Sequence, residues 1–190
     1  MQTNILITGV GGQGIVLTSK LIAAAAMEKD IPVMSAETIG MAQKGGSVFS
    51  FLRLGDEAFC PMFPEGSADI IIGFEPAEAV RMLPYLKKGG TAVVNTHPIM
   101  PVTATLSGSS YDGSEMTGYL KAHVEDLRLI DATKACAEVG SPRALNMIML
   151  GAAVRQGILP LTIEEITEVM KKTVKPQFVE LNTRALNYGI

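Results

Sequence analysis

Apolar positions along the chain fall into two kinds of run, one short and continuous, the other spaced at helical intervals. Ile5, Leu6, Ile7 and Thr8 form the first continuous run and lead straight into Gly9-Val10-Gly11-Gly12-Gln13-Gly14. Such a run ending in glycine predicts a strand covered on both faces. Beyond the glycines, Ile15, Leu17, Leu21, Ile22, Ala25 and Ala26 recur at the spacing of a helix lying on a sheet, which predicts a helix from Ile15 to Lys29. A second, short strand is expected over Pro32 to Ala36, ending at Glu37, and a glycine-rich loop over Thr38 to Gly46. Ser47 to Leu54 is rich in Val and Phe and closes on Gly55-Asp56, a strand and turn with Glu57 to Met62 as a hairpin partner.

The pattern then repeats. Asp69 to Phe74 is a central strand, and Glu75-Pro76 opens a helix through Ala79, Val80, Leu83 and Leu86 that stops at Lys87-Lys88-Gly89-Gly90. Thr91 to Asn95 is the next buried strand, followed by Thr96, His97 and Pro98. Ile99 to Thr117 reads as a long connection rich in Pro, Gly, Ser and Thr. Leu127 to Ile130 is the last strand, and Asp131 caps a helix running to Val139. Arg143 to Gln156 is apolar around nearly its whole circumference, which implies a helix in the core or against another subunit. Thr162 to Lys172 and Gln177 to Asn187 carry ordinary amphipathic helices. The expected fold is α/β: three layers, a mostly parallel Rossmann-like sheet with helices on both faces, and C-terminal helices, all in a single domain of residues 1–190.

Composition narrows the function. Of the 190 residues 47 % are apolar and 5 % aromatic, with 11 Met and no Trp, as suits helices packed closely on a sheet. A net charge of −3 without any basic run excludes a nucleic-acid or anionic-membrane partner. Cys60 and Cys136 stand far apart, with no histidine at ligand spacing, so no metal site is expected and both read as small hydrophobes. The strand that begins within four residues of Met1 leaves no space for a signal peptide, and no stretch is long and apolar enough to span a bilayer. The expected compartment is the cytoplasm.

Candidate chemistry concentrates in the first glycine loop. Gly9, Gly11 and Gly14 fit G-x-G-x-x-G between a strand and a helix, where N–H groups at a helix start favour an anion. With Glu37 placed to hold ribose hydroxyls, dinucleotide binding is the first reading. The alternative is that the glycines only allow helix and strand to pack closely. Hydride transfer finds no support, because the chain has two histidines and no Tyr-x-x-x-Lys pair. Lys44-Gly45-Gly46 forms a second small-residue loop whose cation either reaches a phosphate held by the first or is merely solvated. His97 falls on the ligand-binding edge but lacks an acidic neighbour, and Asn146 needs a partner from backbone, subunit or ligand. No catalytic residue is visible.

Three segments together carry a family resemblance: GVGGQGI, GMAQKGGSVFSFLRLGD from Gly40 to Asp56, and Pro64 to Ile99; ALNMIMLGA from Ala144 adds to it. They resemble the gamma-type subunit of 2-oxoacid:ferredoxin (acceptor) oxidoreductases, most of all the beta subunits of indolepyruvate ferredoxin oxidoreductases. The resemblance implies oxidative decarboxylation of a 2-oxoacid to an acyl-CoA, shared between subunits. Thiamine diphosphate and iron–sulfur clusters would then sit in partner chains, with ferredoxin as acceptor. It further implies that this chain covers the partner's active site and helps to hold coenzyme A. By the residue match Gly9, Gly11, Gly12, Gln13 and Gly14, with Lys44, Gly45 and Gly46 nearby, face its phosphates; many relatives carry arginine where this chain has Lys44.

Overall fold

The computed structural model describes residues 2–38, 45–55, 60–100 and 110–189. Six strands form one sheet: β1 (Thr3–Val10), β2 (Val33–Glu37), β3 (Ser47–Leu54), β4 (Ala68–Gly73), β5 (Leu86–Asn95) and β6 (Asp126–Ile130). Their order across the sheet is β2-β3-β1-β4-β5-β6. β1, β4, β5 and β6 pair in parallel, whereas β3 runs antiparallel to both of its neighbours, β1 and β2. The five parallel strands therefore end at one edge, and β3 begins there.

Side chains alternate across the pleat, so each strand feeds two cores. Ile5, Ile7, Leu52, Ile70, Ile72 and Val93 face one side. Against them pack α1 (Ile15–Met27), α4 (Ala132–Val139), α5 (Leu145–Val154), α6 (Ile163–Thr173) and α7 (Val179–Leu186). Leu6, Phe51, Ile71, Ala92 and Val94 face the other side, under α2 (Pro76–Met82) and α3 (Ser114–His123). The three-layer α/β architecture is thus as the hydrophobic pattern predicts.

Three expectations need correction. The helix opened by Glu75-Pro76 ends at Met82, followed by a 3₁₀ turn over Leu83–Tyr85, and β5 starts at Leu86. Pro84 has no N–H to continue the ladder and crowds the preceding turn. Lys87 to Gly89 are consequently an exposed strand start, where Lys87 pairs with Asp69, and with the buried Gly90 they are not a helix end. The long connection ends early, because α3 begins at Ser114; only Leu120 of this helix is buried, which is why its periodicity is weak. Of the expected hairpin partner, Glu57 to Phe59 lie outside the described residues, and Cys60 to Met62 form no strand.

The helix that is apolar all round resolves to core. Residues Asn146 to Val154 of α5 are all buried within this chain, covered by α1, α4 and α7. Gly151 allows the closest approach: a Cβ there would lie 2.2 Å from the carbonyl oxygen of Leu186. Among the described residues no helix is long and apolar enough to cross a membrane.

Candidate functional site

The first glycine loop crosses the edge where the parallel strands end. Gly11 N–H donates to the carbonyl of Gly46 at 2.8 Å, and Gly45 N–H approaches the carbonyl of Gly11 at 3.4 Å, so the two small-residue loops lie side by side. That contact follows from Val10 pairing with Ser47 at the start of β3. Lys44 lies outside the described residues.

Gln13 holds the loop together. Its Oε1 accepts from Val10 N–H at 2.7 Å and its Nε2 donates to the carbonyl of Phe74 at 2.8 Å. The same carbonyl receives Nδ2 of Asn95 at 3.0 Å. One oxygen with two lone pairs thereby joins the ends of β1, β4 and β5. The Gln13 amide is used at both ends for this, and its N–H donates to Val10.

The glycines differ in what they do. Gly9 is buried, and a Cβ there would meet Gln13 and Phe74, so it gives room for that brace. Gly14, at φ +88, lies against Asn146, whose Cβ and amide would be 2.9 Å from an added Cβ. Asn146 is therefore a packing neighbour of the loop. Gly12 has φ +106 and nothing within 4 Å of an added Cβ. The N–H groups of Gly12 and Gly14 donate to no protein partner among the described residues, unlike those of Gly11 and Gln13. Together with the first turn of α1 they are the donors left for an anion.

Gly12 lies on the rim of a cavity of about 620 Å³. Its floor is Asn95 at the end of β5 with His97 and Ile99 beyond it, and its far wall is Thr133, Cys136 and Ala137 of α4 with Gly140 to Pro142. Burial pushes the Cys136 thiol above its ordinary pKa, in keeping with a small hydrophobe. Asp131 caps α4 by accepting from Lys134 N–H at 3.0 Å, which sets that wall in place. Asn95 and the α4 wall were not singled out from the sequence; the one signal was their position just after a buried strand.

A neighbouring network closes the same edge. Glu75, 1 % exposed, caps α2 through Glu78 N–H at 2.9 Å and accepts from the Tyr111 hydroxyl at 2.6 Å. Burial and then the Glu75 hydrogen bond raise the Tyr111 pKa far above its ordinary 10.0. Glu78 in turn accepts from the Ser47 hydroxyl at 2.6 Å.

The strand order bears on the dinucleotide reading. Glu37 pairs with Ser50 of β3, so β3 separates it from β1 by two strand spacings, roughly 10 Å. Its place at the end of a strand adjoining β1, on which a ribose contact depends, is lost.

The chain matches, over residues 4–190, the family described as pyruvate ferredoxin/flavodoxin oxidoreductase. It belongs to that family. The indolepyruvate oxidoreductase subunit IorB of Pyrococcus horikoshii is 38 % identical, the match covering 100 % of this chain and 95 % of that one. Among solved structures, the pyruvate oxidoreductase subunit PORC of Thermotoga maritima superposes with a TM-score of 0.68 at 26 % identity, covering 98 % and 93 % of the two chains. The 2-oxoglutarate:ferredoxin oxidoreductase of Magnetococcus marinus, solved with 2-oxoglutarate, coenzyme A and succinyl-CoA bound, shares the fold. There the TM-score is 0.72 at 21 % identity, covering 98 % of this chain and 30 % of that one. This family member is a subunit of a 2-oxoacid:ferredoxin oxidoreductase complex.

Proposed function

We propose that this chain, acting as one domain, holds coenzyme A for a complex that converts a 2-oxoacid, such as indolepyruvate, pyruvate or 2-oxoglutarate, to its acyl-CoA. The observation that carries the reading is Gly12: positive φ, open space above its Cα, and an unused N–H at the mouth of a large cavity. A phosphate fits there because a side chain would block it and because the α1 N-terminus supplies partial positive charge. The apolar α4 wall suits the uncharged arm of the same molecule. Coenzyme A supplies the thiol that carries the acyl group away. Gly12, Gly14 and the first turn of α1 bind its phosphates, with Gly45, Gly46 and Lys44 beside them; Gly11 and Gln13 shape the loop. Thiamine diphosphate and iron–sulfur clusters belong to the partner chain, whose active site this subunit covers in the cytoplasm, and ferredoxin accepts the electrons.

The test is the reconstituted complex. A charge-assisted hydrogen bond contributes about 1.5–3 kcal/mol, so Gly12→Val raises the KM for coenzyme A by roughly 10-fold or more. Gly12→Ala guards against misfolding, and Lys44→Ala checks the second loop. An unchanged KM in folded Gly12 variants, or a thermal shift with NAD and none with coenzyme A, overturns the reading.

A further inference from the structure

A smaller pocket of about 190 Å³ shares no lining residue with the cavity at Gly12. It lies where the first turn of α1, the start of α5 and the α6–α7 connection meet, and Leu17, Val174, Phe178 and Leu181 give it apolar walls. Two amides also line it: Asn146, 8 % exposed, and Asn182, 9 % exposed. Asn146 Oδ1 accepts from Met147 N–H at 3.0 Å. Among the described residues its Nδ2 has no partner, nor has the amide of Asn182. Neither amide is fully enclosed, so their unpartnered atoms meet solvent and are free to bond an occupant. Arg143 completes the lining, exposed and without an ion pair among the described residues. Lys175, next to Val174 in the chain, is likewise exposed and in no ion pair among them. The volume is below that of ordinary small-molecule sites and suits a single side chain with its backbone.

We propose that this pocket receives an acidic side chain of the partner subunit. Its carboxylate meets the fork of Arg143, its methylene stem lies on Leu17 and Phe178, and Asn146 and Asn182 bond its oxygens or backbone. The chemistry on the page favours this occupant: cationic rim, amide donors, apolar wall, and membership of a multi-subunit family. The proposal rests on the reading that the chain works in complex with a thiamine-carrying partner.

The experiment is calorimetric titration of the full chain with that partner, at two salt concentrations, using Arg143→Ala, Arg143→Lys and Asn182→Leu. Removing one member of a desolvated charge pair weakens association by about 10-fold or more. Arg143→Ala also flattens the salt dependence, and Arg143→Lys restores affinity only in part because it lacks the fork. Asn182→Leu weakens association while leaving the free chain as stable as before, which a purely structural amide does not do. Unchanged Kd values for folded Arg143→Ala and Asn182→Leu overturn the proposal and leave the coenzyme A reading standing. So does inorganic phosphate raising the Tm of the wild-type chain but not of Arg143→Ala, which makes the pocket a small-anion site. A wild-type chain that does not associate at all overturns both readings.

Discussion

The crossing of α5 over α7 and the loop between β1 and α1 each depend on a glycine, for opposite reasons. At Gly151 a Cβ would sit 2.2 Å from a backbone oxygen, so the missing side chain brings two helices together. At Gly12 an added Cβ meets nothing within 4 Å, and the missing side chain leaves an N–H uncovered at the rim of a cavity. A glycine serves closeness or access, and its neighbours in space decide which.

The contrast is broken or sharpened most strongly by Gly151→Ala. The clash is with backbone, which cannot rotate away, so stability falls by about 3 kcal/mol, read from the denaturant midpoint. The same change at Gly12 meets no atom and carries only the strain of its φ. If the two variants lose equal stability, the distinction between a packed and an open glycine is wrong. A smaller effect is expected from Gln13→Leu, which strips the brace from Val10 N–H and leaves the Phe74 carbonyl with Asn95 and no second amide donor. That loss is about 2 kcal/mol, and amide exchange at Val10 accelerates with it.

The smallest effect is a pH dependence at the same edge. Tyr111 keeps its proton more tightly folded than unfolded, so its contribution is complete below about pH 10 and is lost as pH rises from there. Tyr111→Phe removes the hydroxyl's bond to Glu75 and the bond it accepts from Ala77 N–H, together about 1–2 kcal/mol at neutral pH. Its Tm deficit relative to wild type should shrink above about pH 10; a constant deficit to about pH 11 contradicts the proposed proton linkage.

Much of the fold was legible because buried strands leave unbroken apolar runs. Ile5 to Ile7, Ile70 to Ile72 and Val93-Val94 all lie at the sheet centre. The helix of Ala132 to Val139 was equally readable from its Asp131 cap. Legibility failed where a local signal was overruled or faint. Lys87-Lys88-Gly89-Gly90 resembles a helix end, yet Pro84 had already ended the helix. Ser114 to His123 buries one residue, too few to set a period. For the candidate site, the glycine spacing marked a loop that lies at the edge where the parallel strands end. It did not separate Gly9, which makes room for Phe74, from Gly12, which stands open.

By itself the sequence determined the α/β class, the family and the strand–glycine–helix turn, because these follow from residue periodicity and from short-range backbone preferences. Only the tertiary structure decided that β3 runs against its neighbours, which carries Glu37 away from the loop and brings Gly46 onto Gly11. It alone decided that α5 is covered by its own chain, that α4 walls a cavity at Gly12, and that Asn146, Asn182 and Arg143 line a second pocket. The physical reason is common to all of these. Strand direction, enclosure and the pairing of buried polar groups depend on contacts between residues distant in the chain, which local patterning does not encode.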